Sequence, residues 1–370
     1  MKSVKLGEIG KIITGCTPST KNSEYYADNK YMFVGPSDIK KVMYVVSSEK
    51  NISEKAFEDY KNRFIEENSI VVDCIGSDMG NVAIVKSKCL TNQQINAITN
   101  IDEECYNIKY IYYVLSTMKK YFHLIGTNGS TMPILNKTMF ENIEVEIPKI
   151  EIQNKIAKIL SKLDDKIKLN NETNNNLYEE AVALYKDKFK GIGQGKKTIG
   201  DYIVPKRGKN LLTRDAIDGD TPVVAGGIAP SAYHNQFNTK SPVITISASG
   251  ANAGYTNLWN IPVWASDCSY IDDSITKNVY FWYIVLKTRQ NEVFDAQTGS
   301  AQPHIYPQHI AEMSIGELNI AEVEKYNNLV APLFKMIGEN QKENKKLSQL
   351  RDTLLPKLMN GEIDLDNIEI

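Results

Sequence analysis

Charge of one sign, long apolar runs and paired cysteines are all missing from this 370-residue sequence. Lysine and arginine number 43 against 45 aspartates and glutamates, for a net charge of −2. A globally basic nucleic-acid coat is thereby excluded, so any phosphate contact must come from a local patch or be shared with a more basic partner. No run approaches the roughly 18 apolar residues of a membrane span. The opening Met1-Lys2-Ser3-Val4-Lys5 lacks the apolar core of a secretory signal. A soluble protein of the cytoplasm, without membrane contact, is expected. The five cysteines, Cys16, Cys74, Cys89, Cys105 and Cys268, are odd in number and form no Cys-x-x-Cys pair. That argues for reduced thiols over a disulfide framework or a zinc site.

Catalytic signatures are also missing. There is no Gly-x-x-x-x-Gly-Lys-Ser/Thr phosphate loop, so ATP hydrolysis by this chain is not expected. There is no Asn-Pro-Pro-Tyr or Asp-Pro-Pro-Tyr stretch of the kind adenine methyltransferases use to hold a flipped base. Histidines are few; His304 and His309 flank Tyr306-Pro307 at a spacing unsuited to a helical metal pair. Asp164-Asp165 and Asp272-Asp273 read as solvated acidic faces. Ser247-Ala248-Ser249-Gly250 departs from the Gly-x-Ser-x-Gly elbow. Two readings of it stay open, a strand-ending turn and a glycine-rich tip that lets backbone approach a ligand. No catalytic residue, metal or cofactor is expected on this chain.

What is present is a repeat. Hydrophobic residues make up 42% of the chain, enough for real cores, and the length exceeds one ordinary domain. Leu6-Gly7-Glu8 returns as Ile199-Gly200-Asp201. The strand-like Val71-Val72-Asp73-Cys74-Ile75 runs into Gly76-Ser77-Asp78-Met79-Gly80-Asn81. Its counterpart, Ile244-Thr245-Ile246-Ser247-Ala248-Ser249, runs into Gly250-Ala251-Asn252-Ala253-Gly254-Tyr255. Asn92-Gln93-Gln94-Ile95 lies opposite Ser266-Asp267-Cys268-Ser269, and Gly129-Ser130-Thr131-Met132-Pro133 opposite Gly299-Ser300-Ala301-Gln302-Pro303. Repetition of this kind governs every later reading.

Each half ends in a long helical pattern, from about 151 to 189 and from about 321 to 359. Apolar residues recur at spacings of three and four. The first stripe includes Ile152, Leu160, Leu163, Ile167 and Leu177; the second includes Met336, Leu347, Leu350, Leu354 and Leu358. The spacing predicts a narrow seam between antiparallel helices. The middle of each helix is asparagine-rich, with Asn170, Asn171, Asn174, Asn175 and Asn176 in one and Asn340 and Asn344 in the other, and asparagine in such a seam can fix register at some cost in stability. Lys190-Gly191-Ile192-Gly193-Gln194-Gly195 imitates a phosphate loop but follows no strand and opens no helix, so it reads as a helix cap and linker.

The closing run, Leu347-Ser348-Gln349-Leu350-Arg351-Asp352-Thr353-Leu354-Leu355-Pro356-Lys357-Leu358, resembles the C-terminal helix of type I restriction-modification specificity subunits. The duplicated layout resembles that family over nearly the whole chain. One departure is Ala181-Val182-Ala183-Leu184-Tyr185, where the central helix lacks the Arg-Asp-x-Leu-Leu-Pro run. The resemblance implies an α+β protein with two mixed target-recognition domains, related by a pseudo-two-fold axis and joined by two long antiparallel coiled-coil helices. The corresponding division is a first recognition domain at 1–150, a spacer helix at 151–190 and a linker at 191–195. A second recognition domain follows at 196–320, then a second spacer helix at 321–360 and a tail at 361–370. It further implies a non-catalytic subunit that reads a bipartite, asymmetric site on double-stranded DNA. Its partners would be two methyltransferase subunits and restriction subunits, with S-adenosylmethionine and ATP bound on those partners.

Base readout needs amides, guanidinium groups and hydroxyls on exposed loops. In the first half the candidates are Lys21, Ser77, Asn81, the cluster Asn92, Gln93 and Gln94, and Asn128, Ser130 and Thr131. In the second half Lys206, Arg207, Lys209 and Arg214 form a basic patch suited to phosphates. Ser249, Asn252, Tyr255, Ser300, Gln302 and His304 complete the set. The blander readings are a solvated linker surface for the patch and turn-satisfying amides for Asn92–Gln94. For helix and partner contacts the candidates are Leu160, Leu163, Ile167, Leu177, Leu347, Leu350, Arg351, Leu354 and Leu358. The alternative function is a protein-assembly scaffold without base readout.

Overall fold

The first strand of each half pairs antiparallel with the last strand before its long helix. Lys2–Lys5 runs against Glu144–Ile147, with Val4 opposite Val145. Lys197–Thr198 runs against Ser314–Ile315. This computed structural model describes residues 1–40, 42–127, 133–299 and 303–365. The chain is α+β and divides into two units, residues 1–165 with 347–370, and residues 166–346.

In the first unit a five-stranded sheet has Ile70–Asp73 at its centre. That strand is fully buried and pairs antiparallel with Ile95–Thr99 on one side and Val82–Val85 on the other. The β-branched run Ile70-Val71-Val72 suits such a position. A three-stranded sheet is built on Tyr31–Val34, parallel to Cys89–Thr91 and antiparallel to Lys50–Ile52. The second unit follows the same plan with four strands in the larger sheet in place of five. Val243–Ser247 is flanked by Thr256–Trp259 and Cys268–Asp272. Thr221–Val224 lies parallel to Trp264–Ala265 and antiparallel to Ala232–His234.

The glycines of the two opening motifs face the same element, Gly7 at ordinary contact and Gly200 more tightly. A Cβ on Gly7 would come within 3.4 Å of the Glu141 carbonyl, and one on Gly200 within 3.1 Å of Ala311. The motif lies against the short helix before the closing strand, Lys137–Glu141 or Pro307–Ala311. The backbone bond Leu6 N–H to Ile143 O recurs as Ile199 N–H to Met313 O.

The two long helices are Ile150–Lys188 and Ile320–Met359. In the first unit Ile156, Ala157, Leu160 and Leu358 join the core beside Tyr110 and Tyr113. In the second, Ala181, Tyr185, Tyr326 and Phe334 join the core beside Phe281. Tyr185, Phe189, Phe281 and Tyr326 pack ring against ring, with centroids 5.1 to 6.2 Å apart. One buried amide on each helix serves a short helix: Gln153 Oε1 accepts from Asn107 N–H, and Asn327 Oδ1 from Tyr280 N–H.

The narrow seam expected from spacing is corrected in detail. Ile152, Met336 and Leu350 are 41%, 48% and 47% exposed. Leu163, Ile167, Leu177, Leu347 and Leu354 are half-buried, while Leu160 and Leu358 are buried. Each helix packs on a unit's core as well as on the other helix, so it buries a broad face in place of a two-residue stripe. Polar rungs occupy the second unit's helix pair. Asn170 Nδ2 donates to Glu343 and to Asn344 Oδ1, and Asn340 Nδ2 to Asn174 Oδ1. These rungs run antiparallel. Asp164 is also corrected: it is no solvated acid, but accepts from Tyr113 and from Arg351 within the first unit.

Candidate nucleic-acid interface

The loops at the strand ends of the two units share one backbone. In the first, Asp73 N–H bonds Asn81 O, Gly80 N–H bonds Asp73 O and Met79 N–H bonds Gly76 O. In the second, Ser247 N–H bonds Tyr255 O, Gly254 N–H bonds Ser247 O and Ala253 N–H bonds Gly250 O. All four glycines have positive φ: 108° and 96° for Gly76 and Gly80, 78° and 86° for Gly250 and Gly254. An L side chain is strained there. The first glycine of each loop has open space around its missing side chain, and the second is packed. A Cβ on Gly80 would meet Lys119 at 2.9 Å, and one on Gly254 would meet Phe294 and the Val293 carbonyl at 3.1 Å.

Matching backbone bonds also join the segments around this loop. Gly76 N–H bonds Pro133 O, and Gly250 N–H bonds Pro303 O. Gly15 N–H bonds Ile95 O, and Gly208 N–H bonds Cys268 O. Asn92 N–H bonds Val34 O, and Ser266 N–H bonds Val224 O. These pairings correct the repeat register. Asn92 matches Ser266 as expected, but Ile95 matches Cys268, so the second unit is one residue shorter between them. Gln94, whose carbonyl accepts from Cys74 N–H, therefore corresponds to Asp267, whose carbonyl accepts from Ala248 N–H. Thr14 corresponds to Arg207, because each lies opposite the residue after that point, Asn96 or Ser269.

On this common backbone the tips differ chemically. Beside the glycine loop, which itself holds Asp78 paired with Lys40 and Lys119, the first unit carries neutral amides at Asn92–Gln94. Asn92 Nδ2 donates to Gln94 Oε1 at 3.1 Å, and Asn92 Oδ1 accepts from Gln94 N–H. Thr17 Oγ1 donates to Gln93 Oε1 at 2.6 Å, and Gln93 is exposed. The turn-satisfying role thus accounts for Asn92, while Gln93 keeps its NH2 on the surface. The second unit carries charge. Arg207 Nη2 lies 2.5 Å from Asp267 Oδ1, and Ser249 Oγ donates to the other oxygen of that carboxylate. The guanidinium also stands over the Tyr306 ring, 5.7 Å from its centroid, with His304 stacked on the ring's neighbourhood at 6.1 Å. His304 forms backbone bridges with Ser249 and Thr298.

The other candidates fall as follows. Asn81 braces its loop: Nδ2 donates to Asp73 and to Asp78 O, and Oδ1 accepts from Lys119. The reason is Asp73, a buried carboxyl that needs donors and that burial pushes above the usual range despite Asn81. Ser77 is exposed, and its carbonyl is 2.8 Å from His123 Nε2. Lys21, Lys206 and Lys209 are exposed. Arg214 lies 3.7 Å from Asp215 on a separate turn, away from the contacts that join Arg207, Ser249 and His304. Asn252 is half-buried on the glycine loop. Tyr255 has Lys287 Nζ 4.4 Å from its ring centroid, and burial lowers that lysine's pKa. Asn128, Ser130, Thr131, Ser300 and Gln302 lie outside the described residues.

Asp267, Tyr306 and Thr17 belong to these tips and were not singled out from sequence. Asp267 was hidden by its acidity, which argues against DNA until its arginine is seen. The signal available was its alignment beside the amide cluster. Among the described residues no group of histidines, cysteines and carboxylates is placed to hold a metal ion, and no helix is long and apolar enough to cross a membrane.

Comparison with known proteins gives a consistent picture. Residues 1–179 match the family model described as the type I restriction modification DNA specificity domain. The chain is 28% identical to the type I restriction enzyme MjaIX specificity subunit of Methanocaldococcus jannaschii, over 98% of this chain and 94% of that one. It is 31% identical to the HindI specificity subunit of Haemophilus influenzae, over 42% of this chain and 35% of that one. In fold it is similar to the crystal structure of a type I restriction-modification S subunit from M. genitalium. The TM-score is 0.59 at 18% identity, covering 96% of this chain and 95% of that chain.

Proposed function

The chain belongs to the type I restriction-modification specificity subunits, and from that premise we propose that it reads a bipartite, asymmetric site on double-stranded DNA. Residues 1–150 read one half-site and residues 196–320 the other. The long helices set the unread gap and dock two methyltransferase subunits, and restriction subunits join that core. S-adenosylmethionine and ATP are bound by those partners, and this chain supplies address without chemistry.

The observation that carries the reading is one backbone bearing two chemistries. The backbone bonds of the glycine loops and of the segments beside them correspond in the two units, while the segment next to the loop carries amides at Asn92–Gln94 in one and the Arg207–Asp267 pair in the other. Two copies of one scaffold with different donor and acceptor patterns suit two different half-sites. A scaffold that only bound protein would have no need of that contrast. Exposed Lys206 and Lys209 are suited to phosphates, which orient a domain without reading sequence.

The test exchanges residues 196–320 for the matching segment of another family member, and the methylated motif is then read by sequencing DNA from cells carrying the chimaera and a methyltransferase subunit. One half of the motif should change and the other persist. A change in both halves, or no motif from the unaltered chain, would defeat the proposal.

A further inference from the structure

We infer that Arg207 is a base-reading residue held in place for a guanine, within the half-site assigned above to residues 196–320. The inference rests on that reading of the second unit and names what its tip recognises.

A guanidinium that reads a base must be fixed in direction and yet keep donors free. Arg207 sits on the short strand Lys206–Arg207, whose following residue, Gly208, leaves no room for a side chain. A Cβ there would lie 2.3 Å from the Ser266 carbonyl oxygen. This close approach holds the strand against the segment that carries Asp267. The Asp267 carboxylate takes Arg207 Nη2 with one oxygen and the Ser249 hydroxyl with the other. The Tyr306 ring lies beneath the guanidinium. Among the described residues Arg207 takes no second carboxylate. Its side chain is 39% exposed, and the hydrogen bond to Asp267 uses one of the five donors of the fork, which leaves others for a ligand.

That arrangement fits a base edge better than a phosphate. Asp267 already balances the charge of Arg207, so the pair offers little to counterion release and its carboxylate would repel a phosphate. Guanine presents two acceptors, N7 and O6, at a spacing the arginine fork matches. Lysine, a point charge on a flexible stem, does not match it. Lys206 and Lys209 flank the pair without such a partner among the described residues and are the phosphate-side groups. The first unit has Thr14 at the equivalent place, hydrogen-bonded to Asn96 at 2.6 Å, and so lacks this device.

The test uses the full chain with a methyltransferase subunit of this system. The methylated motif is first read by sequencing. Fluorescent duplexes carrying that motif, with each base pair replaced in turn, are then titrated with wild type, R207A, R207K and K206A over a range of salt. In wild type one G·C pair of the second half-site should resist replacement. In R207A and R207K discrimination at that single position should fall roughly 5- to 150-fold, with the salt slope of R207A unchanged and the other positions still read. K206A should lower affinity for all duplexes and flatten the salt slope. The inference is overturned if R207K behaves as wild type, or if R207A loses affinity evenly across duplexes with a flatter slope, since Arg207 would then be a phosphate contact. It is overturned equally if no position changes. In each of those cases a bipartite motif in wild type leaves the proposed function standing. A wild-type complex that binds every duplex alike would remove both.

Discussion

Arg351 Nη1 lies 2.6 Å from Asp164 Oδ1, joining the C-terminal helix to the central helix inside the first unit. Tyr113 donates to the other oxygen of the same carboxylate at 2.5 Å. The Asp164 side chain is only 17% exposed, so removal of Arg351 leaves a poorly solvated charge with one donor. The Arg351→Met variant should lose roughly 1.5–3 kcal/mol of stability, the range for hydrogen bonds to charged groups. The double variant with Asp164→Asn should recover part of that loss. Urea unfolding followed by circular dichroism measures both. An Arg351→Met midpoint equal to wild type would show the pair to be idle.

The two glycines of the first loop should respond unequally. Both have positive φ, so alanine costs about 1–2 kcal/mol at either. Gly76 is open, whereas a Cβ on Gly80 meets Lys119, including its Cα at 3.1 Å. Gly80→Ala should therefore destabilise more than Gly76→Ala, in thermal melts of the two variants. The reverse order would mean that the loop relaxes at its packed end.

Asn170 is buried and gives its amide hydrogens to Glu343 and Asn344. Those acceptors are partly exposed, so water replaces the lost donor and Asn170→Ala should cost about 1 kcal/mol. Asn170→Leu should hold or raise the melting temperature while loosening the helix register. Cysteine pairs placed on the two helices near 174 and 340 would report it by cross-linking. A sharp drop in melting temperature for Asn170→Leu would contradict this account.

Asp78 lies between Lys119 at 2.7 Å and Lys40 at 2.7 Å. The two lysines hold its carboxyl well below the usual carboxylate range, with Lys119 the larger cause. A lowered pKa means that the pair's support is present above the ordinary aspartate pKa and is lost only as pH falls through the depressed value. Amide protection at Met79 and Gly80 should therefore change little between neutral pH and about pH 4. High salt should weaken it, because the pair is exposed. Hydrogen exchange reads both effects, and loss of protection between pH 6 and pH 5 would exclude Asp78 as the cause.

If the helices set the unread gap, lengthening both should widen it. Asn174 pairs with Asn340. In an antiparallel pair, four residues inserted after Asn174 match four inserted before Asn340. Four helical residues add roughly 6 Å, or about two base pairs. The methylated motif should keep both half-sequences and gain that gap. An active variant with the original gap would show that the helices are not the ruler.

The duplicated plan and the long helices were legible in the sequence because they rest on local periodicity and on glycines with a steric purpose. Gly76, Gly80, Gly250 and Gly254 mark positive φ, and Gly200 a close approach, that survive a change of partner residue. Helix persistence was legible too, even through Pro332 and Pro356, which lie inside Ile320–Met359 although proline removes an intrahelical bond. Side-chain pairing was not. Asp164 reads as a solvated acid, and Asp267 as one position of a repeat, until a residue far along the chain, Arg351 or Arg207, is brought beside them. Leu350 fits the apolar stripe, yet it stays exposed because packing on a unit's core selects a different helix face. The match of Gln94 to Asp267 depended on one missing residue, which only the backbone hydrogen bonds locate. Spacing along the chain specifies what repeats locally, whereas the partners of a charge are set by which distant segments tertiary packing brings within hydrogen-bond reach.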